Sequence, residues 1–67
     1  MESSVEKAVR VAGGQSALAR AVGVTPQAVQ QWVSAGVVSY KKVIDVERAT
    51  GIPRSELRAD LYPVEAA

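Results

Sequence analysis

The hydrophobic residues of this chain recur every three or four positions, which is the spacing of a helix that buries one face. No stretch shows the two-residue alternation of a half-buried strand. The pattern therefore predicts an all-α protein, a single compact domain over residues 1–67 with about five short helices. The predicted segments are about Ser3 to Ala12, Gln15 to Val22, Pro26 to Val33, Tyr40 to Thr50 and Pro53 to Arg58, followed by an irregular tail over about 60–67.

Residues that start and stop helices bound these segments. Ser3 and Glu6 have the spacing of a capping box. Thr25 is a preferred N-cap residue, and Pro26 suits the first helical position, where its missing N–H costs nothing. Ser39 is expected to cap the fourth helix. Glycine, which readily adopts the left-handed conformation of a helix end, follows the first four segments at Gly13, Gly23, Gly36 and Gly51.

The apolar faces of the segments supply the expected core. Ala19 is small where the second and third segments would cross, and Val37-Val38 could lie either under the fourth helix or in a dimer contact. Ion pairs one turn apart are expected on the exposed side of the fourth segment among Lys41, Asp45 and Arg48. The residues expected to face the core are Val5, Ala8, Val9, Ala12, Leu18, Ala21, Val22, Val24, Val29, Trp32, Val33, Val43, Ile44, Val46, Ala49, Ile52, Leu57, Leu61 and Tyr62.

The third segment differs from the others in its polar face, which carries no charge. That face consists of Gln27, Gln30, Gln31 and Ser34. Exposed helix faces are usually rich in Lys and Glu, which favour helix and keep a protein soluble. Amide side chains instead suit a partner with paired donors and acceptors, such as a base edge in a DNA groove. The alternative, that these glutamines are merely solvated, is disfavoured by the residues around them.

Composition narrows the possible functions. The 67 residues include no Cys and no His, which leaves no disulfide, no Cys-based zinc site and no histidine for acid–base catalysis. Neither an enzyme, a cofactor, a metal site nor a small-molecule substrate is expected. The apolar runs are far shorter than the roughly 20 residues of a membrane span, and no signal-peptide pattern is present. A cytoplasmic protein that does not contact the membrane is expected.

Charge is distributed unevenly, although the net charge is only +1. No acidic residue lies between Glu6 and Asp45. The basic residues within that interval are Lys7, Arg10, Arg20, Lys41 and Lys42. The positive half of the chain therefore contains the second and third segments, as a phosphate-binding surface requires. Chance in a short chain with few charges is the alternative.

Residues 15–33 have the apolar spacing of a helix-turn-helix unit, with a small residue at Ala19 and a turn glycine at Gly23. The string QSALARAVGVTPQAVQQWV resembles the helix-turn-helix repressors of temperate bacteriophages, whose fold is lambda-repressor-like. It is similar in particular to the helical members of the Cro family and to the related YdaS-type proteins of prophages. The string ERATGIPRSELRADLYP resembles the closing segment of the same group, so the resemblance covers roughly Ser3 to Pro63.

The resemblance implies that the helix beginning at Pro26 enters the major groove of DNA. The implied base-reading residues are Gln27, Ala28, Gln30 and Gln31. The implied phosphate contacts are Gln15, Ser16, Arg20, Thr25, Tyr40, Lys41 and Lys42. Pro26 departs from the family, because relatives often place a polar base-reading residue there and proline cannot hydrogen-bond a base.

The implied function is a sequence-specific DNA-binding transcriptional repressor of phage or prophage type. It would bind a partly palindromic operator as a homodimer, on the DNA of the bacterial host. Many Cro proteins end in a basic tail or a β-hairpin, and 64–67 is neither, so the dimer contact stays open among Val37-Val38, the last helix and Leu61-Tyr62. The alternative is a prophage antitoxin or regulator that acts mainly through another protein. The uncharged glutamines favour DNA, since a partner helix would want an apolar groove.

Overall fold

The computed structural model describes residues 2–62, which fold into five α-helices without a strand. The helices are α1 (Ser4–Ala12), α2 (Gln15–Val22), α3 (Pro26–Ala35), α4 (Val43–Thr50) and α5 (Arg54–Leu57). Helix α2 packs against α1, α3 and α4, while α1 also contacts α3, α4 and α5. The all-α class and the number of helices expected from the sequence are confirmed.

The starts of α1 and α3 follow the capping residues. The Ser3 hydroxyl accepts a hydrogen bond from the Glu6 N–H (3.1 Å), and the Glu6 carboxylate accepts one from the Ser3 N–H (2.9 Å). The Thr25 hydroxyl accepts from the Ala28 N–H (3.2 Å) at the start of α3. At the turn between α2 and α3, Gly23 has a φ of 74°, which is the left-handed conformation expected there.

A single buried cluster joins all five helices. Leu18, Val29 and Leu57 from α2, α3 and α5 are each no more than 1% exposed within it. The full cluster is Val5, Ala8, Leu18, Ala19, Val22, Val29, Trp32, Val38, Val43, Val46, Ile52 and Leu57, with Val9, Ala12, Val24, Val33 and Tyr62 packed against it.

Two alanines, an isoleucine and a leucine expected in this core lie outside it. Ile44 is half-buried but does not belong to the cluster or to the residues packed against it. Ala21 and Ala49 are exposed because the buried stripe of each helix is centred about 100° away from them at 3.6 residues per turn. On α2 the stripe is shifted towards Ala19, which is 1% exposed. Leu61 is 47% exposed, whereas its neighbour Tyr62 is partly buried. The expected tail beyond Tyr62 lies outside the described residues.

The fourth helix begins three residues later than expected, and Ser39 is not its cap. Lys42 is the N-cap residue, and the Lys42 N–H donates to the Ser39 carbonyl (2.9 Å) across a turn. The Ser39 hydroxyl accepts no hydrogen bond from a backbone N–H within the described residues, so the cap is not formed there. Residues 40–42 instead form a turn that joins Val38 to Val43, both of which are fully buried.

The late start of α4 also changes its ion pairs. Lys41 precedes the helix and lies over the Tyr40 ring, so the expected pair with Asp45 is wrong. Lys42 pairs with Asp45 instead, at 3.8 Å. Arg48, the third residue expected in these pairs, forms no ion pair within the described residues.

The third helix is two residues longer than expected, because it continues through Ser34 and Ala35 until Gly36 ends it. After this glycine the two valines differ, since Val38 is fully buried and Val37 is 36% exposed. Of the two alternatives for these valines, burial or a dimer contact, Val38 therefore shows burial in the core. Val37 stays available to a partner.

Candidate nucleic-acid interface

The polar face of α3 is an exposed strip along one side of the helix. Gln27, Gln30 and Gln31, here called the glutamine face, line a broad shallow groove together with Ser34 and Ala35. All three glutamine side chains are exposed, and none makes a hydrogen bond within the part of the chain that the structure describes. The helix has 10 residues, so the strip is about 15 Å long at 1.5 Å per residue.

The opposite side of α3 fixes the direction in which the glutamine face points. Val29 is fully buried, Trp32 is 7% exposed, and Val33 packs against the same cluster. A helix locked by packing on one side presents the other side in a defined orientation, which a recognition surface requires. Trp32 thus belongs to the core, as expected from its place on the apolar side.

The first turn of α3 also carries Pro26 and Ala28. Pro26 occupies the first helical position and is exposed, and Ala28 is half-buried at the edge between the two sides of the helix. A methyl group at such an edge can contact only a partner that approaches the first turn closely. Base contact by Ala28 remains a prediction. It requires the DNA to approach α3 more closely than contact by Gln27 or Gln31 does.

Three predicted phosphate contacts lie on α2 and at the start of α3. Ser16 and Arg20 are exposed and four residues apart, which places them on one face of α2. Arg20 makes no ion pair with any residue in the described range. The Thr25 hydroxyl accepts from a backbone N–H, which leaves its own proton free to donate to a phosphate oxygen. These three side chains are available for the predicted role.

The surroundings of Gln15 are less favourable to a phosphate. Gln15 is exposed but lines a second groove with Glu2, Glu6 and Arg10, apart from the groove of the glutamine face. Arg10 donates two hydrogen bonds to the Glu2 carboxylate (2.9 and 3.0 Å), and this contact lowers the pKa of Glu2. A charged carboxylate beside Gln15 opposes a phosphate there. The Glu2 carboxylate also neutralises one cation of the expected positive half.

The remaining predicted phosphate contacts lie on the turn before α4. Tyr40 is 63% exposed, and the Lys41 ammonium lies 5.9 Å from the centre of its ring. Lys42 is half-buried and faces Asp45, so part of its charge is already balanced. Tyr40 and Lys41 are therefore the better phosphate candidates on this turn.

Two further acidic side chains, Glu47 and Asp60, are bonded to arginines away from α2 and α3. Three hydrogen bonds from Arg54, the backbone N–H first and then two from the guanidinium, hold the pKa of Glu47 below its ordinary value. Hydrogen bonds from Arg58 lower the pKa of Asp60 in the same way. These carboxylates are charged at neutral pH, but each lies against a cation. Helices α2 and α3 contain no acid, which leaves the charge of Arg20 uncompensated locally.

Ser34 and Ala35 extend the polar side of α3 beyond the residues expected to read bases. They line the same groove as the glutamines, one to two turns further along the helix. In the sequence, Gly36 indicates that α3 includes these two residues, because a helix continues up to the glycine that caps it.

Among residues 2–62 no group of three or more acidic side chains is arranged to hold a metal ion. No helix in this range is long and apolar enough to cross a membrane.

The chain is similar to a known protein family and to a protein of Escherichia coli. The model of a family described as "Bacterial toxin YdaS" matches residues 5–65. A protein of Escherichia coli (strain K12), described as "Putative transcriptional regulator YdaS", is 42% identical over 62 residues. The match covers 87% of this chain and 62% of that relative, so the chain spans about three fifths of the length of the relative. No solved structure matches the chain.

Proposed function

The chain belongs to the bacterial toxin YdaS family, and on this basis and the surface of α3 we propose that it is a sequence-specific DNA-binding transcriptional repressor. It is of the phage or prophage type and acts on DNA in the cytoplasm of a bacterial host. Two copies bind a partly palindromic operator, and occupancy of the operator blocks the promoter. The Escherichia coli relative, described as "Putative transcriptional regulator YdaS", supports a regulatory role.

The observation that carries this proposal is the glutamine face of α3. Gln27, Gln30 and Gln31 project from a rigid helix, without charge and without a hydrogen-bond partner in the described residues. A glutamine amide donates and accepts at once, so it matches the N6 and N7 atoms of adenine in the major groove. A face that served only to keep the protein in solution would be expected to carry Lys and Glu.

The proposed mechanism divides the contacts into base reading and phosphate binding. Gln27 and Gln31 lie one turn apart and read bases, with Gln30 as a helper and Ala28 against a thymine methyl. Ser16, Arg20 and Thr25 bind phosphates on one side of the groove, and Tyr40 and Lys41 bind them on the other. Phosphate contacts fix the position of the protein on the duplex, while base contacts supply specificity. A two-fold dimer would place its two α3 helices about 34 Å apart, one turn of the duplex.

The experiment that tests this proposal is selection of binding sites from a random duplex pool, followed by sequencing and by gel shifts at two salt concentrations. The expected result is a two-fold symmetric site whose half-sites contain adenine at fixed positions. Weak binding to all sequences with a steep dependence on salt would support only the phosphate contacts and would contradict base reading. No binding at either salt concentration would overturn the proposal.

A second candidate function is a toxin or antitoxin that acts through another protein. Two observations favour it: the family description names a toxin, and the apolar side chains of Val37 and Leu61 are exposed. The double variant Val37→Ser/Leu61→Ser distinguishes the two functions. If DNA is the main partner, each copy of the double variant keeps its preference for bases. If a protein is the main partner, the double variant no longer binds that protein.

A further inference from the structure

The α3–α4 turn, residues 36–42, is tied to the end of the described chain by one side chain. Arg58 donates a hydrogen bond from Nη1 to the Val38 carbonyl oxygen at 3.0 Å, across 20 residues of sequence. Every other side-chain hydrogen bond within residues 2–62 joins residues at most eight apart. The fully buried side chain of Val38 also anchors this turn.

Arg58 is itself held in place by Asp60. Arg58 donates from Nε to one carboxylate oxygen (3.0 Å) and from Nη2 to the other (2.6 Å). This paired geometry fixes the plane of the guanidinium, so the remaining Nη1 points at the carbonyl. The Arg58 side chain is only 18% exposed, compared with 47% for Arg54 and 64% for Arg10. Arg58 is the most covered of these ion-paired arginines.

The α3–α4 turn carries exposed side chains that need a defined position. Tyr40 and Lys41 project from it, and they are separated from α3 by Gly36 and from α4 by Lys42. A turn between two helices tolerates movement more readily than a helix does. A phosphate contact on such a turn helps to set the register of α3 on DNA only if the turn is held.

We propose that Arg58 is a positioning residue, which holds the α3–α4 turn so that Tyr40 and Lys41 meet a phosphate beside the bases that α3 reads. This inference rests on the proposed function. Arg58 acts through the turn and not on the DNA, because three of its five N–H groups are bound to Asp60 and the Val38 carbonyl and its side chain is only 18% exposed. Asp60 acts through Arg58 by orienting it.

The test compares Arg58→Met with its matched control, Arg54→Met. Methionine keeps an apolar side chain of similar length and removes every donor. Arg54 also donates two guanidinium hydrogen bonds to a carboxylate, that of Glu47, but makes no hydrogen bond to the α3–α4 turn. Both variants are examined by backbone ¹⁵N relaxation of the free protein and by binding to the selected duplex across a salt series.

The expected result for Arg58→Met is greater mobility of residues 39–42 and about tenfold weaker DNA binding, the size of one lost charge-assisted hydrogen bond. The slope of log affinity against log salt should fall by about one, because Lys41 no longer neutralises a phosphate. The bases preferred in the selected site should not change. Arg54→Met should show none of these effects, and Arg58→Lys should restore part of the affinity.

Other outcomes separate this inference from the proposed function. If the wild-type protein selects a site and Arg58→Met binds it with the same affinity and the same salt slope, only the positioning role is overturned. A wild-type protein that binds no duplex overturns the proposed function, and this inference with it. If Arg58→Met does not fold, Asp60→Asn replaces it, since it keeps the arginine and removes the charge that orients it. The same changes in mobility and slope are expected.

Discussion

The α2–α3 unit, residues 15–35, and the region from Lys42 to Tyr62 use their polar side chains in opposite ways. In the α2–α3 unit the one side-chain hydrogen bond within the described residues is the cap at Thr25, and no ion pair is present. In the later region most polar side chains bind one another or the backbone. These contacts are Lys42–Asp45, Glu47–Arg54, Arg58–Asp60, Thr50 with the Val46 carbonyl, and Arg58 with the Val38 carbonyl.

This difference separates side chains that hold the fold from those that are free to bind a partner. A donor or acceptor atom whose hydrogen-bonding capacity is already used within the protein must give up that contact before it binds anything else. The glutamines of α3 give up only water. The two regions nevertheless share one core, because Leu18 and Leu57 lie in the same buried cluster. Substitutions can therefore be chosen that change one region, the other, or the core that both share.

The largest effect is expected from the shared core. Leu18→Ala and Leu57→Ala each remove a side chain that is at most 1% exposed, which should lower the free energy of unfolding by about 2–5 kcal/mol. A domain of this size has only a few kcal/mol in total, so either variant should be largely unfolded. Thermal unfolding followed by circular dichroism measures this. Leu61→Ala, at a 47% exposed position, is the control and should unfold like the wild type.

Changes on the glutamine face should alter specificity without altering stability. Gln31→Ala removes an exposed amide and should reduce discrimination at one base pair per half-site by about 1–3 kcal/mol. Gln15→Ala is the matched control, because it makes the same chemical change outside the groove of the glutamine face. Competition binding with single-base variants of the selected site measures both. Equal loss of discrimination from the two variants would count against base reading by α3.

A smaller effect, independent of sequence, is expected at Arg20. Arg20→Ala should weaken binding to every duplex by a similar factor and lower the salt slope by about one, because one phosphate loses its partner. Arg48 is a matched control, since it is also exposed and forms no ion pair within residues 2–62. Titrations at several salt concentrations measure the slopes. If Arg48→Ala lowers the slope as much, the positive charge of the α2–α3 unit has no special role.

The smallest effect concerns stability at low pH in the later region. Hydrogen bonds from the Arg54 backbone and side chain hold the pKa of Glu47 below its ordinary value. The carboxylate therefore stabilises the fold above about pH 5, and this contribution is lost as the pH falls through the lowered pKa. The unfolding temperature should drop as the pH falls below about 5, and by less in Glu47→Gln. Glu56→Gln is the matched control, and an equal change there would contradict the role of Arg54.

The sequence predicted the helix starts that depend on a local cap. Ser3 and Thr25 bond to residues three positions away, so their roles need no knowledge of the rest of the fold. The cap predicted at Ser39 is absent because residues 40–42 form a turn between Val38 and Val43, two fully buried residues whose placement depends on the whole core. The predicted burial of Ala21 is wrong, since a small apolar residue is tolerated on either side of a helix.

The candidate site shows the same division between local and distant information. The glutamine face follows from helical periodicity alone, so the sequence was sufficient to predict it. The carboxylate of Glu2 beside Gln15 depends on how α1 packs on α2, and the bond from Arg58 to Val38 spans 20 residues. Neither contact has a signal at short range. The roles of all these residues in DNA binding stay predictions.

An NMR titration of ¹⁵N-labelled protein with the selected duplex tests directly whether α3 reads bases. If it does, the side-chain amide signals of Gln27, Gln30 and Gln31 shift on binding, while the Nε–H signal of Arg54 stays in place. Glutamine signals that do not move, together with shifts concentrated in residues 54–62, would contradict it.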